Sequence, residues 1–236
     1  MGIGHVAIAL GASRAVPRLN VGWLVFAAVL ADFLLGIFAA IGLEHASVPA
    51  DYSHKHYFLF SFPYSHGLLA LLLWATIFGF LVSRAFGLES RRVWLTAALV
   101  GLSHFLLDGL VHIAGLPLAG ENSPKLGLGL WQNMPLELAL ETVMTFAGIA
   151  LYWRLSQSSA LSRYGMAVFM VVFLAMMWTQ LASTVPPQPH VLTVSWLVAP
   201  VVLGAIAYAL DWQRVHRGVP VGGRSQTRNL HPTPEI

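Results

Sequence analysis

Six stretches of this chain, near residues 19–42, 66–86, 92–116, 134–155, 164–185 and 191–212, are long and apolar enough to cross a bilayer, which takes about 20 residues as a helix. Inside lipid every backbone N–H and C=O must find its partner within the protein, which a helix achieves within each span. Only 10% of the residues are charged and 57% are hydrophobic, with a mean hydropathy of +0.70, against about 25% charged in soluble domains. The expected fold is therefore all-α: a polytopic membrane helix bundle with about six transmembrane helices. Residues 1–213 read as one transmembrane domain holding an intramembrane metal site, and the polar residues 214–236 as a flexible cytoplasmic tail.

The basic residues alternate across these spans. Eleven arginines (14, 18, 84, 91, 92, 154, 163, 214, 217, 224 and 228) fall on one side, and two lysines, Lys55 and Lys125, on the other. The positive-inside rule then puts both termini in the cytoplasm and the chain, multi-pass, in the cell inner membrane. The net charge of +3 comes from scattered residues and not from a Lys/Arg-rich run, so the expected partner is the lipid bilayer and not a nucleic acid. Cysteine is absent, which leaves His, Asp and Glu as candidate metal ligands and suits zinc or another divalent first-row ion.

Those residue types occur where they are most costly. Asp32 lies in the first span, His66 opens the second, His104, Asp108 and His112 follow one another at i, i+4, i+8 in the third, and Glu137 and Glu141 repeat that spacing in the fourth. A charged side chain at membrane depth costs at least about 2.5–3.5 kcal/mol on insertion scales, so it usually faces a protein-lined site. At 1.5 Å of rise per residue, measured from the arginine bordering each span, Asp32 lies about 21 Å up, His66 about 27 Å, His104 and Asp108 about 18 and 24 Å, and Glu141 and Glu137 about 20 and 26 Å. His112 comes out highest, at about 30 Å. Four helices thus place polar groups in one band. His5 joins it if residues 2–13 form a short re-entrant helix buried between the spans. His45, His54, His56 and Asp51 read as solvated loop residues, the run "YFLFSFPY" (57–64) as an interfacial lid or lipid contact, and the Gly-rich loop 117–133 as lacking the Lys-Ser/Thr of a phosphate loop.

In chain order these residues are His5, Asp32, His66, His104-x3-Asp108, His112 and Glu137-x3-Glu141. The order resembles the ligand order of the zinc-dependent phospholipase C and P1 nuclease group. "GHVAIA", "ADF", "YSHGLL" and "SHFLLDGLVH" are also similar to the family of bacterial inner-membrane metal-dependent hydrolases, over residues 4–141. The resemblance implies one to three divalent metals, Zn2+ first among them. Asp32, His66, His104 and Asp108 would hold one, Asp108 would bridge to a second held with His5, and His112 with Glu137 or Glu141 would approximate a third. The chain departs from the phospholipase pattern in lacking its N-terminal Trp, and in carrying Glu137 where a His is expected.

The resulting expectation is a metal-dependent hydrolase acting through a metal-activated water on an ester or phosphoester, lipid-like or otherwise amphiphilic, with Asp108 and Glu141 as catalytic residues. The alternative is an ion- or proton-coupled transporter or channel using the same His/Asp/Glu cluster.

Overall fold

The structure is a computed structural model and describes residues 2–86, 91–154 and 159–217. It is a helical bundle, with helices α1 (Ile3–Ala12), α2 (Val21–Ala28), α3 (Leu30–Ala40), α4 (Tyr52–Lys55), α5 (Leu68–Ala85), α6 (Arg91–Val111), α7 (Met134–Trp153), α8 (Ala160–Trp178) and α9 (Pro189–Arg217) among the described residues. Five of these are long and apolar enough to cross a membrane, and α2 with α3 makes a sixth if the bent pair counts as one span. Their outer faces expose large aliphatic and aromatic side chains, such as Leu73 and Leu81 on α5, Val168 and Val172 on α8 and Val194 and Val198 on α9. Water would penalise such a surface and lipid does not.

Among the described residues two two-stranded antiparallel ribbons interrupt the helices: β1 (His45–Ser47) with β2 (Leu59–Ser61), and β3 (Ile113–Pro117) with β4 (Lys125–Leu128). The ribbons touch through Glu121, which accepts from the Ser61 hydroxyl at 2.9 Å and pairs with Lys125. Lys125, with Ser61, holds the Glu121 carboxyl below its usual range.

Three expectations are corrected. The first span is not continuous: α2 and α3 meet at Val29 with a bend of 53°. The third span ends at Val111, and residues 113–117 leave it as a strand. The tail does not begin at Arg214, because α9 runs on to Arg217 and Arg214 is buried; residues 218–236 lie outside the described residues.

Packing fixes where the polar band falls. α5 and α6 form an antiparallel hairpin, close enough that a Cβ on Gly79 would lie 2.6 Å from the Trp94 carbonyl oxygen. α9 runs antiparallel to both halves of the bent span, with Gly22 against Tyr208 and Gly36 against Leu197, so one continuous helix, with Pro200 between the two contacts, packs across the break. The short α1 is buried among α7, α2 and α6, as a re-entrant piece must be. It lies parallel to α7, with Gly2 beside Glu141 and Ala7 beside Gly148.

A Cβ added at Gly148 would come 2.8 Å from the Ala7 Cα. Gly148→Val is therefore expected to push α1 outward and lower stability by about 1–3 kcal/mol, the usual cost of overpacking. Thermal unfolding in detergent checks this; an unchanged midpoint would mean that the α1–α7 contact is looser than the geometry indicates.

Candidate metal centre

Asp108 sits one turn before the end of α6, is 2% exposed, and has four imidazoles around its carboxylate. His5 Nε2 lies 3.2 Å from its Oδ1. His104 and His112 Nε2 each lie 3.2 Å from its Oδ2, and His66 Nε2 lies 3.7 Å from the same oxygen. Asp32, from the first turn of α3, completes the group with Oδ1 3.7 Å from His66 Nε2 and 4.0 Å from His104 Nε2. Among the described residues, two triads have metal-ligand proximity: His5, His104 and Asp108, and Asp32, His66 and His104.

The elements explain how distant residues meet. His104 and Asp108 share a helix face one turn apart. The break at Val29 turns α3 so that Asp32 faces α6, and the Ala28 carbonyl, beside that break, lies 2.8 Å from His104 Nδ1. A carbonyl only accepts, so His104 carries its proton on Nδ1 and presents Nε2 to the centre. His5 is fully buried and stacks on His104, with ring centroids 3.9 Å apart and planes 4° apart.

His112 lies just past α6, and the Gly-rich loop holds it there. Gly129 N donates to the His112 carbonyl at 2.8 Å, and a Cβ on Gly127, at φ +152°, would lie 2.3 Å from that oxygen. Only glycine suits that conformation and approach.

Glu137 and Glu141 line the same cavity of about 200 Å³, together with Asp32, His66, Asp108 and His112. Glu141, expected as general base and ligand, also makes two hydrogen bonds to α1. Its Oε1 accepts from Gly2 N and its Oε2 from Ile3 N at 3.0 Å, so its carboxylate anchors the first turn of α1, where a helix offers unpaired N–H groups. Glu137, 3% exposed, is one turn nearer the start of α7.

The cavity has an aromatic wall. Phe62 lies 4.6 Å from the His66 ring, Trp131 4.0 Å from His112, and Phe60 5.5 Å from His112, all between ring centroids. "YFLFSFPY" is thus partly site lining. His56, expected as a solvated loop residue, also lines the cavity, and its Nδ1 lies 3.0 Å from the Ser183 carbonyl oxygen. His45 and His54 stay exposed.

Glu44 was not singled out in the sequence. It is a lone carboxylate in a polar loop, and it shows its relevance only once its contact with Ser65, next to His66, is seen: its Oε2 accepts from the Ser65 hydroxyl at 2.6 Å.

No family model, curated protein or solved structure matches this chain.

Proposed function

We propose that this chain is an integral membrane hydrolase that holds one or more divalent cations, zinc being the best fit, and cleaves an ester or phosphoester with an apolar portion. The observation that carries the reading is at His104. With its proton committed to the Ala28 carbonyl, the ring turns an unshared electron pair toward Asp108 Oδ2 and His66 Nε2, both at 3.2 Å. Electron pairs and carboxylates that converge in this way, away from water, call for a cation among them. His5 adds to this: neither of its buried ring nitrogens makes a hydrogen bond among the described residues, although Nε2 faces Asp108. Imidazole nitrogens with carboxylate oxygens are the donor set that zinc takes.

His66, His104 and Asp108 would hold such a cation, with Asp32, His5 and His112 completing this or a neighbouring position. When bound, it polarises a substrate oxygen and brings the pKa of a water from 15.7 to about 7. The chain's own residues do the rest. Asp108 keeps four imidazoles turned inward. Glu137, facing the cavity, takes up the proton. Glu141 holds α1 and with it His5. Phe60, Phe62 and Trp131 pack the apolar part of a substrate and exclude water.

The chain sits in the cell inner membrane with both termini cytoplasmic. That orientation is supported by Arg84 and Arg92 closing one helix hairpin and Arg154 and Arg163 another.

Protein purified in detergent without chelator is expected to carry at least one transition-metal ion per chain by elemental analysis. A strong chelator is expected to remove it together with hydrolysis of a chromogenic ester or phosphodiester. Metal-free protein that is folded, and that passes protons or ions when sealed in vesicles, would instead establish the transporter reading and sink this one.

A further inference from the structure

Glu44 lies in the loop after α3 and is 2% exposed. Its Oε1 accepts from Tyr64 N at 2.7 Å and from Ser65 N at 2.9 Å, and its Oε2 from the Ser65 hydroxyl at 2.6 Å. The same hydroxyl oxygen lies 2.8 Å from His66 Nδ1. An ionised carboxylate only accepts, and a serine hydroxyl has a single proton to give. With that proton directed at Glu44, Ser65 can only accept from His66, which places the imidazole proton on Nδ1. His66 Nε2 is left with its electron pair, facing His104 Nε2 at 3.2 Å and Asp32 and Asp108 oxygens at 3.7 Å.

We infer that Glu44 is a positioning residue which, through Ser65, locks His66 in the Nδ1–H tautomer and so presents Nε2 to the cation. The inference rests on the metal reading above and adds a chain of three buried residues to it. Ser65 is fully buried and His66 is 3% exposed, so water does not compete for these bonds. Glu44 also ties two ligands together, since α3 carries Asp32 in its first turn and Glu44 follows its end. Groups that orient a metal-binding histidine from its far nitrogen are worth 10–100-fold in metal affinity.

Glu44→Gln tests the polarity of the chain. The amide keeps the shape, and its oxygen can still accept from Tyr64 and Ser65 N–H. Its NH2, standing in place of Oε2, donates to Ser65. The serine proton is then released toward His66 Nδ1, favouring the Nε2–H tautomer that blocks coordination. Zn2+ titrated against a competing chelator is expected to bind Glu44→Gln and Ser65→Ala about 10–100-fold more weakly than the unaltered protein, whereas Ser65→Thr, which keeps the hydroxyl, binds as before. In chelated protein labelled with 15N-histidine, the His66 signals are expected to move from the Nδ1–H to the Nε2–H pattern in Glu44→Gln.

Unchanged Zn2+ affinity in both Glu44→Gln and Ser65→Ala, with an unchanged His66 spectrum, overturns the inference. If Glu44→Gln does not fold, the contrast between Ser65→Ala and Ser65→Thr decides it. If the unaltered protein itself binds no Zn2+, the metal reading fails separately, and the imidazole spectrum of the chelated protein still decides the tautomer.

Discussion

Asp108→Asn is expected to bring bound divalent metal down to background while leaving the helix bundle folded. The amide has the size of the carboxylate and stays on the same α6 face, but it carries no charge and exchanges one oxygen for an NH2 group. Oδ1 meets His5, and Oδ2 meets His104, His112 and His66. Whichever atom becomes nitrogen, at least one imidazole then faces a donor and not an acceptor. Affinity for Zn2+ is expected to fall by more than about 100-fold, beyond the 10–100-fold that follows the loss of a group which only orients a ligand. Elemental analysis and chelator competition measure it. His112→Ala is expected to do less, because His112 belongs to neither of the two ligand triads. A variant Asp108→Asn that still holds stoichiometric metal would show that the cation is bound elsewhere.

The second large effect lies at the opposite end of the bundle and concerns stability. Arg214 is 2% exposed and Asp211 fully buried. Arg214 Nε and Nη2 donate to Asp211 Oδ1 and Oδ2, each at 2.7 Å, and the guanidinium also donates to the Pro17 and Leu19 carbonyls. Asp211 in turn accepts from Val21 N at 2.8 Å and from the Tyr152 hydroxyl at 2.6 Å. This network latches the end of α9 to the start of α2 and the end of α7. Arg214→Ala strands a buried carboxylate and two carbonyls, at an expected cost of about 3–5 kcal/mol. Tyr152→Phe removes one charge-assisted bond and is expected to cost about 1.5–3 kcal/mol. Thermal or denaturant unfolding in detergent gives both values. Tyr152 is eleven residues from Glu141 on α7, about 16 Å along the helix, so folded Tyr152→Phe protein should bind metal normally. Loss of metal from that variant would mean that the latch and the centre are mechanically coupled.

The spans were legible because a bilayer imposes a length and hydropathy that few other environments demand, and Asp32, His104 and Asp108 stood out against that background. The i, i+4 spacing correctly placed His104 and Asp108 on one face. The break at Val29 was not legible, since "AAVLADF" contains neither Pro nor Gly; it depends on α9 bracing both halves. His112 falls inside an apolar run, "VHIAGLPL", that reads as more of the span, yet residues 113–117 of that run pair with β4 as an irregular strand. Arg214 reads from the sequence as the first residue of a flexible cytoplasmic tail, although its partners come from residues 17–19 and 211. Glu141 fell in the right band, but that α1 would take both of its oxygens depends on a packing partner far away in sequence. Glu44 carried no local signal at all.

The brevity of α1 bears on how the protein is made. Ten residues rise about 15 Å, half the hydrocarbon thickness, so residues 3–12 cannot be threaded across lipid by themselves. The helix they dock against ends at Trp153, some 140 residues later in synthesis, a delay on the order of ten seconds at ribosomal speed. Until α7, the third long helix, has been delivered, α1 lacks the partner that holds His5 in the pocket. A cation held by His5 and Asp108, as proposed, would therefore be captured only late in biogenesis.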